Sequence, residues 1–180
     1  MYIRIKNIKY KDNCFSYAYL VKSKRKKQKI KQKNLKYLGK VYKLNNLSLI
    51  DSNTRPEDLT STLNNDKKTI IIRLIERELI NHSFKKLKPN IYKRDNINAD
   101  LNKIKLKNSK NKNIVLEINE GFLCEYTINL LLNFEFPNLD EKSCGIYLAN
   151  ALLSAGIKLD EVLFIKLFNN FYKEVFSSIN

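Results

Sequence analysis

Alternation of apolar and polar positions opens the chain. Ile3-x-Ile5 alternates in a first run, Phe15-x-Tyr17-x-Tyr19-x-Val21 in a second, and Leu35-x-Tyr37 with Val41-Tyr42 in a third. A period of two is the signature of strands. Lys11-Asp12-Asn13 offers a first turn, and Lys24-Arg25-Lys26-Lys27-Gln28 falls where a second must lie. Residues 1–44 therefore predict a three-stranded antiparallel meander. Residues 45–65 are rich in Asn, Ser, Thr and Asp, include Arg55-Pro56, and read as a linker with one short packed piece at Leu47, Leu49 and Ile50.

The period then becomes helical. Asp66 is a good N-cap for a helix from Lys67 to Asn81, with Ile71, Leu74, Ile75 and Leu79 on one face and Arg73 and Arg77 on another. His82 falls at its end, where a capping or surface role is the ordinary one. After Pro89 the pattern predicts strands at 91–93, 97–107 and 113–118, the last two joined by the polar turn Asn108-Ser109-Lys110-Asn111-Lys112. Gly121 separates them from a helix over 124–134 containing Ile128, Leu131 and Leu132. A helix from Ser143 to Ala155, with Ile146, Leu148, Leu152 and Leu153, ends at Gly156 as its C′ residue. Asp160 caps a last helix reaching about Ser177. Its apolar set, Leu163, Phe164, Leu167, Phe168, Phe171, Tyr172, Val175 and Phe176, is wider than one core stripe needs. That width fits either a homodimer surface or burial on two sides. The expected class is α+β: a three-stranded module at 1–44, a linker at 45–65, and a body at 66–180 of α-β-β-β-α order followed by two helices.

Composition narrows the chemistry. The 180 residues are 43% hydrophobic, enough for a core, and no run approaches the ~18 apolar residues of a membrane span. The start lacks the apolar region of a signal peptide, so a cytoplasmic location without membrane contact is expected. Three cysteines (Cys14, Cys124, Cys144) with no close pair suit neither a disulfide framework nor a zinc site, and His82 is the one histidine. No P-loop, Gly-rich cradle or Ser/His/Asp constellation is visible, and only four glycines exist to build one.

Charge then changes the picture. The net +16 is uneven: +14 in residues 1–44, +5 in 45–120 and −3 in 121–180. Lysine is favoured by codon bias in AT-rich genomes, yet such bias acts on the whole chain and cannot make this gradient. A basic segment on a nearly neutral body is the footprint of a polyanion-binding arm. The candidate contacts are Lys22, Lys24, Arg25, Lys26, Lys27, Lys29, Lys31 and Lys33, four of them consecutive at the second turn. Nucleic acid is the expected partner, DNA ahead of RNA. Among the aromatics Tyr2, Tyr10, Phe15, Tyr17, Tyr19, Tyr37 and Tyr42, some offer a surface on which bases stack, while the Phe15, Tyr17 and Tyr19 face is otherwise the packed side of the small sheet.

Two resemblances add to this. Tyr17-Ala18-Tyr19-Leu20-Val21-Lys22-Ser23-Lys24-Arg25, then Lys29-Ile30-Lys31-Gln32, then Lys36-Tyr37-Leu38-Gly39-Lys40, resembles the opening segment of DDE-type transposases of bacterial and archaeal insertion elements and of some archaeal Fic-domain proteins. It covers about a quarter of the chain and implies a short β-rich module of mobile-element or archaeal type, without catalysis; no H-x-F-x-D/E-G-N signature follows. Asp100 in one strand and Glu117-Ile118-Asn119 at the end of the next resemble the PD-(D/E)xK nuclease core, with Glu78 as auxiliary acid. That resemblance implies Mg²⁺ held by Asp100 and Glu117, but Asn119 stands where the family has its lysine, leaving Lys103 or Lys105 to replace it. The reading is a non-enzymatic nucleic-acid-binding protein needing no cofactor, with an RNA- or ribosome-associated protein and a Mg²⁺-dependent nuclease as alternatives.

Overall fold

The computed structural model describes residues 1–26, 29–44, 63, 65–138 and 140–176. Lys27, Leu47, Leu49, Ile50 and most of the expected linker lie outside these residues, as do the side chains of Lys26, Val175 and Phe176. The class is α+β. Strands β1 (Tyr2–Tyr10), β2 (Asn13–Lys26) and β3 (Lys29–Lys43) form the antiparallel meander. Its first turn holds Lys11 at φ 51°. Pairing runs from Tyr10↔Asn13 to Tyr2↔Val21, then from Tyr17↔Lys40 to Lys26↔Lys29 with two register shifts.

The helix α1 (Lys67–Asn81) starts where the cap dictates: Asp66 accepts from the Thr69 amide at 3.1 Å and from its hydroxyl at 2.6 Å. These bonds hold the Asp66 carboxyl below its usual range. Helix α1 is buried almost all round, Glu76 and Glu78 included. It ends in a Schellman motif, with the Ser83 amide bonding the Ile80 carbonyl and the Phe84 amide that of Leu79. His82 is the buried C-cap; its Nδ1–H donates to the Glu78 carbonyl at 2.8 Å, while its own carbonyl accepts from Arg94 at 2.7 Å.

The body has more and shorter strands than its periodicity suggests. β4 (Lys85–Lys88), β5 (Ile91–Arg94), β6 (Ile97–Asp100) and β7 (Lys105–Asn108) make a second antiparallel sheet in that order. The single strand expected over 97–107 folds back at Leu101–Ile104, because Asp100 Oδ1 captures the amides of Asn102 and Lys103 and Ile104 turns left-handed at φ 53°. The Asn108–Lys112 turn does not close a hairpin of one sheet. β8 (Ile114–Ile118) stands outside the four-stranded sheet and pairs parallel with β3, Lys40↔Ile114 to Lys43↔Glu117. β9 (Gly121–Leu123) then returns along β8 through Asn119 and Glu120, both left-handed (φ 45° and 67°) as a two-residue hairpin requires. The first sheet is therefore five-stranded, β1-β2-β3-β8-β9, and crosses from the N-terminal segment into the body.

Three helices complete the fold: α2 (Glu125–Leu132), α3 (Glu141–Ser154) and α4 (Glu161–Phe176). Asp140 and Asp160 cap α3 and α4 through the amides of Ser143 (3.0 Å) and Leu163 (2.8 Å). A second Schellman motif ends α3, with Gly156 left-handed at φ 75° and Ile157 bonded to Leu152. A Cβ on Gly121 would lie 2.1 Å from the Leu153 carbonyl, so glycine alone lets β9 meet the end of α3. The main core joins α1, both sheets and all three later helices. In α3, Leu148 and Leu152 enter it while Ile146 and Leu153, expected inside, face outward. The wide aromatic set of α4 is largely consumed within the chain. Leu163, Leu167, Phe168 and Phe171 are buried, and Phe136 sits edge-on to Phe168 and Tyr172 at 5.6 Å. No helix among the described residues is long and apolar enough to cross a membrane.

Candidate nucleic-acid interface

A cross-strand register decides where the basic side chains point. β1 stops opposite Val21 and β8 joins β3 only at Lys40, so Lys22–Lys26 and Lys29–Lys33 extend as a two-stranded arm. Five residue pairs at about 3.3 Å each give an arm of roughly 16 Å. Its register sets Lys22 against Lys33, Lys24 against Lys31 and Lys26 against Lys29. Directly opposed residues share a face, so Lys22, Lys24, Lys29, Lys31 and Lys33 line one side and Ser23, Arg25, Ile30 and Gln32 the other. Every arm residue whose side chain is described is exposed, Ile30 at 69%. Arg4 hydrogen-bonds Gln32 at the arm's base. Like charges facing each other weaken a sheet, and no apolar packing compensates them here.

The same parity rule assigns the two faces of the sheet itself. Ile3 pairs with Leu20 and Ile5 with Ala18, and these pack with Leu38, Val41, Val115 and Cys124 in a second, smaller core. Burial pushes the Cys124 thiol up. Phe15, Tyr17 and Tyr19 consequently lie on the opposite face, half-buried and outside both buried clusters. Lys6 pairs with Tyr17 and Arg4 with Tyr19, while Lys40 faces Tyr17 from β3. Arg4, Lys6 and Lys40 are not among the basic residues that the sequence singles out, whereas Tyr37 is among its aromatics. The signal for the face was present: a turn fixed at Lys11-Asp12 pairs Ile3 and Ile5 with Leu20 and Ala18 of β2, and so sets the aromatics on the other side of the sheet.

The nuclease-like carboxylates go elsewhere. Asp100 spends Oδ1 on the two amides of its own turn, each at 3.1 Å. Glu117 lies on β8, in the other sheet, with the Lys43 ammonium 3.4 Å away. Glu78 is buried and accepts from the Asn119 amide at 2.7 Å, Arg77 at 3.1 Å and the Lys158 backbone at 3.4 Å. The Asn119 amide group also donates to the Gly156 carbonyl at 3.0 Å. Glu78 and Asn119 are therefore brought together as a buried clasp between α1, the β8–β9 turn and the segment after α3. Among the described residues, no three or more His, Cys, Asp or Glu side chains are grouped so as to hold a metal ion. The donor set does not fit a shared Mg²⁺, and no catalytic step is derived through one.

A second buried charge cluster lies between α1 and the four-stranded sheet. Lys86 and Arg73 reach the Glu76 carboxylate at 2.6 and 2.8 Å. Burial is the largest influence on Glu76 and acts upward, but the bonded Lys86 and Arg73 oppose it and its carboxyl is held below the usual range. Burial and the facing Glu76 push the Tyr92 phenol far above its ordinary value. Cations neutralise an acid here and leave none of the arm's exposed surplus. No protein-family model matches this chain, and neither a curated protein nor a solved structure is significantly similar to it.

Proposed function

We propose that this protein binds nucleic acid, duplex DNA first, by inserting the Lys22–Lys33 arm between phosphate backbones, and that it does so without catalysing a reaction. The carrying observation is the arm's register: opposed lysines on one face of a ribbon unsupported by other described strands. A polyphosphate removes the repulsion between them and releases its own counterions. A two-stranded ribbon fits the major groove of B-form DNA, about 12 Å wide, whereas the deep, narrow major groove of an RNA duplex does not admit one. This preference separates the reading from an RNA- or ribosome-associated role. The module's resemblance to mobile-element proteins agrees with DNA as partner, and the scattered cysteines with a reducing cytoplasm.

Affinity for a short DNA duplex should fall with salt at a logarithmic slope of about −0.9 per phosphate neutralised. Replacing Lys22, Lys24, Lys31 and Lys33 together by Gln should flatten that slope, and duplex RNA should compete poorly. A slope unchanged by the four substitutions, measured by fluorescence anisotropy across a salt series, rejects the arm as contact site.

A further inference from the structure

The face of the first sheet opposite the smaller core enters the main core on β8 through Ile114 and Leu116, and over β1–β3 it carries aromatic chemistry that the arm leaves unused. Phe15, Tyr17 and Tyr19 stand on β2, and Tyr37 joins them from β3, its ring centre 5.4 Å from that of Tyr19 and 6.3 Å from that of Tyr17. Tyr37 is 52% exposed. Burial, then the neighbouring phenols of Tyr17, Tyr19 and Tyr42, raise its hydroxyl above the ordinary range, so four phenols converge on one patch. Cations are distributed among the rings: the Lys6 ammonium lies 4.7 Å from the Tyr19 ring centre, and that of Lys40 lies 4.2 Å from Phe15 and 5.5 Å from Tyr42. Arg4 is exposed beside them. A sheet surface with adjoining flat rings and interleaved ammonium groups matches a ligand of flat π faces linked by negative charges.

We propose that this face binds a single-stranded stretch of nucleic acid, its unpaired bases stacking on Tyr17, Tyr19 and Tyr37 and its phosphates meeting Arg4, Lys6 and Lys40. The inference rests on the nucleic-acid reading above and adds to it a substrate: bases free of their partners. In a duplex the base faces are covered by one another, so they cannot stack on protein rings without opening. The arm and the platform are carried by the same two strands, β2 and β3, which places a duplex site and a single-strand site on one sheet. The shared chemistry is that of both DNA and RNA strands.

The chain has ten tyrosines and no tryptophan, so its own tyrosine emission reports stacking. The full chain is titrated with oligothymidylate, oligouridylate, an abasic deoxyribose-phosphate oligomer of equal length, a DNA duplex and polyglutamate. At least one single strand should quench tyrosine emission and bind at least about fivefold tighter than the abasic oligomer. The double variant Tyr17→Thr/Tyr37→Thr keeps strand-forming residues; it should lose that margin and retain abasic and duplex binding. Tyr37→Thr alone, at the most exposed ring, should lose part of the margin where the double variant folds poorly. Equal affinity for bases and abasic backbone, a margin that survives in the variants, or equal quenching by polyglutamate overturns the platform. Duplex binding without single-strand binding overturns the platform and leaves the arm standing. Single-strand binding that depends on Tyr37, together with duplex binding unchanged by the arm-lysine substitutions, supports the platform and overturns the arm.

Discussion

Ser83 occupies a position that suits glycine. It is left-handed at φ 62°, at the C′ site of α1, and its hydroxyl is buried without a described partner. An L side chain there costs about 1–2 kcal/mol, and an unsatisfied buried hydroxyl adds to it. Glycine loses more chain entropy on folding, which offsets part of the gain. Ser83→Gly should stabilise the protein by about 1 kcal/mol, raising Tm by roughly 2–4 °C in a calorimetric scan. A lower Tm would show that the hydroxyl is satisfied by water. Such positions also explain what the sequence conceals. Ile104 takes a left-handed backbone against the preference of a β-branched residue, so nothing in the 97–107 pattern announces the turn that divides it. Asp66 and Asp160, by contrast, cap their helices as the sequence leads one to expect, while Asp140 starts α3 at Glu141, two residues before the expected Ser143.

At the scale of elements, the arm is separable from the fold. It contributes no described residue to either hydrophobic cluster, and its described bond to the rest of the sheet is the one from Arg4 to Gln32. Replacing residues 23–32 by an Asn-Gly turn between the opposed Lys22 and Lys33 should leave Tm unchanged or higher, since facing cations are removed and no packing is lost. Duplex binding should disappear at the same time. A clear fall in Tm would mean that the arm packs against the body. This element was legible because charge and alternation are both local. The parallel pairing of β3 with β8 was not: its partners lie far apart in sequence, and Gly39, whose Cβ would stand 2.4 Å from the Asn113 carbonyl, leaves no trace in hydrophobic periodicity.

For the whole molecule, acid is the natural stress. Glu76, Asp66 and Asp140 all have carboxyls held below their ordinary values in the folded state. A depressed folded pKa contributes stability that is fully present above the unfolded value, 4.5 for Glu and 3.8 for Asp, and is lost as pH falls through the folded one. Protonation also raises a net charge already at +16. Glu76→Gln should cost roughly 1–3 kcal/mol near neutrality, by weakening charge-assisted bonds to Lys86 and Arg73. The gap between parent and variant should close as pH falls below 4.5 toward 3 in urea melts; a gap constant with pH would assign the stabilisation to packing. The nuclease-like carboxylates show the limit of reading pairs from spacing. Asp100 and Glu117 have the separation of a metal site, yet two different sheets receive them, and only the tertiary fold could tell.

The closing of the first sheet has a consequence for synthesis. β3 is complete by Lys43, but its partner β8 begins at Ile114, about 70 residues later. At roughly 5–20 residues per second, the β3 edge emerging from a ribosome waits several seconds with its backbone unpaired. An open edge of that kind recruits other strands, and lysine is the residue that best discourages them. Lys36, Lys40 and Lys43 lie along it. The positive charge of this segment thus protects the nascent chain before it has any ligand to hold.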